Sequence, residues 1–486
     1  MKLLTLFAVG LLCVQPLVLR AQADNFKVTT DRTVDNSSLE SIIADVYRLS
    51  GAKTNDEKAI AIHDYLHRTI FHLNYATEPQ NKDGVGPLKV INAYGWGLCG
   101  GQHTVLKSLF ETAGWQVRYV GWPGHTTIEV NYDNKWHYFD TFLKCYFWMK
   151  DKSRVAGQED IANDPSIALD GQKDGRTPVD LLVCGDDAPG VVAGCKARTP
   201  NAPSQHEDGW ASVTGRDHGY DSTVHLPSGA TLSLLWAGEP DQFYWPNGQG
   251  KQNPVHTCGN KDFRSSKILG PIMEHYGPRG WADGHLDYKP DFSKAGDVAD
   301  IKLTGLKAES GKLVGKGSAV FSLISAYVYT SMKVDQQGGT VSVSVDGGKN
   351  FKPANSADLT DLVKGWYNVV LKVDVADKLD SFKVAAVVEH NKSAQPYLFN
   401  GKNVVTISAA NKDLLARNNL TVIYSYQEAT GKAPETRDSF RGNEVKYSET
   451  KTVETKITSL PCNFTIDVGG TEPPKMIALT RVVSSK

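Results

Sequence analysis

Cys99, His125 and Asp140 are the residues of this chain whose types and order could do covalent chemistry. A thiol attacks as its thiolate, so it needs a base or a positive field beside it. An imidazole can take or share the thiol proton, and a carboxylate can fix the imidazole in the tautomer that does so. The stretch that holds all three reads YGWGLCGGQHTVLKSLFETAGWQVRYVGWPGHTTIEVNYDNKWHYFD.

The elements needed to position them are legible in the same stretch. Val105, Leu106, Leu109, Phe110 and Ala113 are apolar at helical spacing, which predicts a helix from near Cys99 to about Ala113, with Gly114 at its C-cap. A cysteine at a helix start sits among unpaired N–H groups and the positive end of the helix dipole, which lower a thiol's pKa. Those N–H groups can also stabilise an oxyanion. Residues 116–121 alternate as a strand does. Residues 126–132 and 135–140 flank Asp133-Asn134, a two-residue hairpin turn. His125 would open one strand and Asp140 would close its antiparallel neighbour, which brings the two side chains together.

This pattern resembles the transglutaminase-like superfamily of papain-like Cys-His-Asp enzymes. That group includes transglutaminases, peptide N-glycanases and many bacterial secreted proteins. Its pattern is a Cys at a helix start, a G-x-x-x-R-x-V strand, an H-x-x-x-E-V strand and a W-x-x-x-D strand. Here these are Cys99; Gly114, Arg118 and Val120; His125, Glu129 and Val130; and Trp136 and Asp140. The resemblance covers about residues 40–150. It implies Cys99 as nucleophile, His125 as base and Asp140 as its orienter. No C-x-x-C and no His/Cys cluster at zinc spacing occurs, so no metal and no cofactor are expected. Trp96, by an indole N–H, and Gly100 would serve an oxyanion or line the pocket. Gly100-Gly101 after the cysteine and Thr126 after the histidine depart from the family and imply a different pocket shape.

Other residues have plainer readings. His103, one turn after Cys99, reads as a packed or exposed histidine, with a supporting place behind the site as its alternative; Trp96 reads as an aromatic wall and Glu129 as a solvated strand residue. His218, Tyr220 and His225 lie in a polar, aromatic segment and form an alternative acid–base set, suited to β-elimination from a uronic acid. Ser344 to Phe351 (SVDGGKNF) resembles an Asp-box hairpin, though a simple hairpin turn accounts for it.

Lys2, the apolar run from Leu3 to Val14 and Ala21-Gln22-Ala23 form a secretory signal pattern with cleavage after Ala23. A secreted or periplasmic protein follows, with no membrane span. In that oxidising setting Cys184 and Cys195 are the best candidate disulfide, and Cys145 could pair with Cys258. With 53 basic and 54 acidic residues, nothing argues for nucleic acid. Ser37-Ser38-Leu39-Glu40 and Thr54-Asn55-Asp56-Glu57 are capping-box patterns ahead of two helices.

The expected fold class is α+β. A signal peptide (1–23) precedes a transglutaminase-like domain (24–150) and a long loop excursion (151–205). A β-rich region (206–300) and a β-sandwich region (301–486) follow, read from β-branched segments punctuated by Gly, Asn and Asp. The expected partner is an extracellular peptide, glycopeptide or polysaccharide. The function classes are an amide-cleaving or acyl-transferring thiol enzyme, a carbohydrate-active protein, or a non-catalytic envelope-associated binding protein.

Overall fold

The computed structural model describes residues 24–72, 78–79, 85–171, 173–177, 188–202, 219–238, 244, 281–411, 413–431 and 445–486. The signal pattern, His218, Cys184 and Cys258 lie outside the described residues. The fold is α+β, and among the described residues no helix is long and apolar enough to cross a membrane.

Two helices, Leu39–Ser50 and Asn55–Thr69, open the helical unit. Each starts at a reciprocal capping box. At the second, Thr54 Oγ1 accepts from Glu57 N, and Glu57 accepts back from Thr54 N at 2.9 Å, as its sequence pattern predicts. At the first, the cap is Ser38 rather than Ser37. The Ser41 hydroxyl, not Glu40, accepts from the Ser38 N–H at 3.0 Å. A hydroxyl can close the box as a carboxylate does, so the pattern shifts by one residue.

Both helices pack on a third, Cys99–Thr112. Its other face lies on the antiparallel sheet Lys135–Phe139, His125–Tyr132, Gln116–Trp122 and Thr199–Pro200. Asp133 and Asn134 join two of these strands with φ of 51° and 57°, the paired left-handed residues of a type I′ turn.

The segment expected as a loop excursion carries three short helices, Gln158–Asn163, Ser166–Gly171 and Ala188–Lys196. They bury the opposite face of the sheet in a second core that includes Trp122, Tyr138, Phe147, Ile161 and Val191. Gly194 is required there, since a Cβ would stand 2.2 Å from the Trp122 ring.

The β-rich part does not divide near residue 300. Ala230–Leu235 and Trp281–Tyr288 lie inside a seven-stranded antiparallel sheet whose other members include Val328–Gln337, Ser381–Asn391 and Lys475–Ser485. Strands that pair across hundreds of residues leave no local mark of their neighbours, so a boundary drawn from composition misses them. A six-stranded sheet faces this one. Phe321 of Lys312–Ile324 stacks on Phe382 of Ser381–Asn391 with ring centroids 3.8 Å apart. Asp24–Thr30, expected in the catalytic unit, instead pairs with Gly401–Ala409 and Val224–Leu226.

The SVDGGKNF segment is a hairpin turn. The Asp346 carboxylate accepts from the backbone N–H groups of Lys349 and Asn350, both at 3.0 Å.

Asn391 ties the helical unit to the β-rich part. Its amide donates to the carbonyls of Thr69 at 2.9 Å and Ile91 at 2.7 Å. Gly95, with φ of 69°, lets the chain pass this amide, because a Cβ would come within 2.6 Å of it. The chain then runs straight into the cysteine helix.

Candidate active site

The helix begins at Cys99 with Leu98 extended before it, and no side chain caps its start. Unpaired N–H groups therefore face whatever lies at the thiol. Cys99 is half-buried, whereas His125 and Asp140 are buried. The imidazole and the carboxylate thus lie deeper than the cysteine.

His125 Nε2 donates to Asp140 Oδ2 at 2.7 Å. Its other nitrogen, Nδ1, is the atom left to couple with the Cys99 thiol. Trp122 meets the imidazole edge-on at 5.3 Å, and Phe142 packs on it at 5.0 Å. These rings fix the imidazole plane and keep water from the His–Asp bond.

Asp140 is held on every side. Oδ2 also accepts from the Tyr138 hydroxyl at 3.1 Å, and Oδ1 accepts from Leu143 N at 2.7 Å. His63 Nε2 donates to the Asp140 carbonyl at 2.9 Å. His103 Nδ1 donates to the Cys99 carbonyl at 2.7 Å, and its Nε2 stands 3.4 Å from Asp140 Oδ1. His103 therefore lies between the Cys99 peptide and the Asp140 carboxylate. Its place, four residues along the helix from the cysteine, is the signal that could have marked it.

The electrostatics follow. Burial raises the Cys99 pKa. The hydrogen bond and charge of His125, with the backbone N–H groups of Thr126 and Gly100, more than offset this, and the thiol ends below its usual value. Burial lowers His125, but Asp140 and Cys99 outweigh it and raise the imidazole to about 10. Burial alone would raise Asp140, yet the charges and hydrogen bonds of His125 and His103 hold it well below the usual carboxylate range. These directions favour a thiolate–imidazolium pair beside a carboxylate.

The remaining sequence candidates sit elsewhere. The Trp96 indole N–H is directed at Glu389 Oε1, 3.4 Å away, and the ring is buried. Tyr220 donates its hydroxyl to the Ala326 carbonyl at 2.6 Å, and His225 Nε2 pairs with Asp221 at 3.0 Å. Glu129 is not solvated. It is buried, bound by Arg118 at 2.7 Å and by Gln158 N at 2.8 Å, because the added helices cover that face of its strand. Among the described residues no disulfide joins Cys195 or Cys462 to another cysteine, and Cys184, the expected partner of Cys195, lies outside them. Burial raises the Cys195 thiol.

His103, His125 and Asp140 place potential ligand atoms within 4.8 Å of one another, close enough for a cation to compete for the same carboxylate. No family model matches the chain, and neither the curated proteins nor the solved structures yield a match.

Proposed function

We propose that this protein is a transglutaminase-like thiol enzyme that acts on amide bonds through Cys99, His125 and Asp140. The observation that carries the reading is the 2.7 Å His125–Asp140 bond beside a half-buried cysteine at an uncapped helix start.

In this reaction the Cys99 thiolate attacks the amide carbonyl carbon, and the carbonyl π electrons move onto oxygen. The unpaired N–H groups of the helix start would stabilise that oxyanion. The tetrahedral intermediate collapses, the C–N bond breaks, and the amine leaves with the proton that His125 carried. A thioester to Cys99 remains. His125 then deprotonates a water or an amine, which attacks the thioester and returns the thiolate. Asp140 stays ionised and stabilises the imidazolium at each stage. The proposed substrates are extracellular peptides or glycopeptides.

The test is a panel of glutamine- and asparagine-containing peptides and glycopeptides, scored for released ammonia or amine and for transfer to an added amine. Turnover that disappears in both Cys99→Ser and His125→Ala supports the assignment. Turnover that persists in Cys99→Ser rules it out.

A further inference from the structure

Arg481 lies on Lys475–Ser485, an interior strand of the seven-stranded sheet, opposite Leu232 and Val422. It is 3% exposed. A guanidinium keeps its proton in proteins, so this is a permanent positive charge inside the fold. Its Nε and Nη1 make no hydrogen bond, and among the described residues no carboxylate forms an ion pair with it. The groups it senses are Tyr327, Tyr424 and His390. Neither tyrosine is a counter-ion, since burial holds both phenols in their neutral form. His390 is likewise kept neutral by burial. A buried charge with no opposite charge is among the most destabilising arrangements a fold can hold.

Beside Arg481 is a cavity of about 60 Å³, whose walls include Asn36, Ser222, Tyr327 and Gln395. Its charged rim is already neutral, because Lys27 is paired with Asp35. Asp35 also accepts from Ser37 N at 3.1 Å, so this carboxylate is committed away from Arg481. Water could meet the hydrogen-bonding needs of the guanidinium but not its charge. The volume is several times the ~15 Å³ that one water requires, so an ion of a few atoms fits beside the guanidinium.

We propose that this cavity binds one compact monovalent anion, a halide or a carboxylate, as the counter-ion of Arg481. The Asn36 side chain in its wall receives the Tyr65 hydroxyl from the Asn55–Thr69 helix and donates to the Ala394 carbonyl at 2.9 Å. The anion therefore sits at the seam between the helical unit and the β-rich part, and its occupancy strengthens that seam. The proposal is independent of the thiol chemistry.

The experiment is thermal unfolding of the full mature chain at constant ionic strength. Gluconate, a bulky and strongly hydrated anion, is replaced stepwise by chloride, bromide or acetate. A bromide-soaked crystal is examined in parallel for an anomalous peak. The expected result is a saturating rise in Tm of about 2 °C or more in the ion that binds. If that ion is a halide, a bromide peak lies within about 3.5 Å of the guanidinium. A response to acetate alone identifies a carboxylate ligand. Arg481→Met should give a flat curve in every anion. A flat wild-type curve in all three anions, or a halide response whose bromide peak lies away from Arg481, overturns the proposal. The wild-type measurements decide the matter even if the variant does not fold.

Discussion

Asp140→Asn changes one atom of the site and leaves its shape intact. The Leu143 N–H points at Oδ1 from fixed backbone, so an amide at this position must keep its oxygen there. Its NH₂ then faces His125 Nε2, which today donates to Oδ2. Two donors cannot share that contact, so the imidazole proton moves to Nδ1 and the ring can no longer accept the thiol proton. The size of the effect follows from the same groups. His125 is raised from 6.5 to about 10 against the effect of burial. At 1.36 kcal/mol per unit, the net support given to the imidazolium, after the cost of burial, is about 5 kcal/mol, shared between Asp140 and Cys99. Losing most of the Asp140 share should slow the reaction of Cys99 with iodoacetamide near pH 6.5 by about 10³-fold. The assay is peptide-level mass spectrometry of alkylation against time, with Cys99→Ser giving the background from the other thiols and circular dichroism confirming the fold. A variant that stays folded and reacts within about threefold of the parent would refute the tautomer argument.

Four further outcomes are expected. His103→Leu removes the second imidazole from Asp140 and should slow Cys99 alkylation by about 10-fold, while His103→Gln, which can still donate, should recover part of the rate. Gly194→Ala drives a methyl into the Trp122 ring and should destabilise the fold by about 1–3 kcal/mol in urea unfolding. His125 has a raised folded pKa, so its contribution to stability is complete below pH 6.5 and is lost as the pH rises toward about 10. Denaturant-derived stability should fall across that window, and His125→Gln should remove that part of the slope. Asp140 has a depressed folded pKa, so its contribution is complete above the unfolded carboxylate value and is lost as the pH falls below about 4. Acid unfolding should be shallower in Asp140→Asn.

Cys99, its helix and the hairpin bearing His125 and Asp140 were legible because each rests on local signals. Apolar spacing marks residues 105–113, and Asp133-Asn134 is a turn that any flanking strands would use. What stayed hidden depends on pieces distant in the chain. Glu129 reads as solvated until the 158–196 helices cover it. The indole of Trp96 meets Glu389, 293 residues away, so its direction has no local signature. The role of His103 appears only when the 140–145 turn, which bonds Asp140 to Cys145 twice at 2.9 Å, brings the carboxylate under the cysteine helix. Sheet order was hidden for the same reason. An antiparallel strand carries its burial pattern in its own residues but not the identity of its neighbour.

The central claim is that Cys99 is a thiolate held by His125. Its most direct test is the ultraviolet absorbance of the thiolate, taken as the difference between the wild-type protein and Cys99→Ser and followed over pH. The account predicts a thiolate that persists well below the ~8.5 of a free cysteine and moves back toward that value in His125→Ala. A wild-type transition at or above that value, unchanged by His125→Ala, would contradict it.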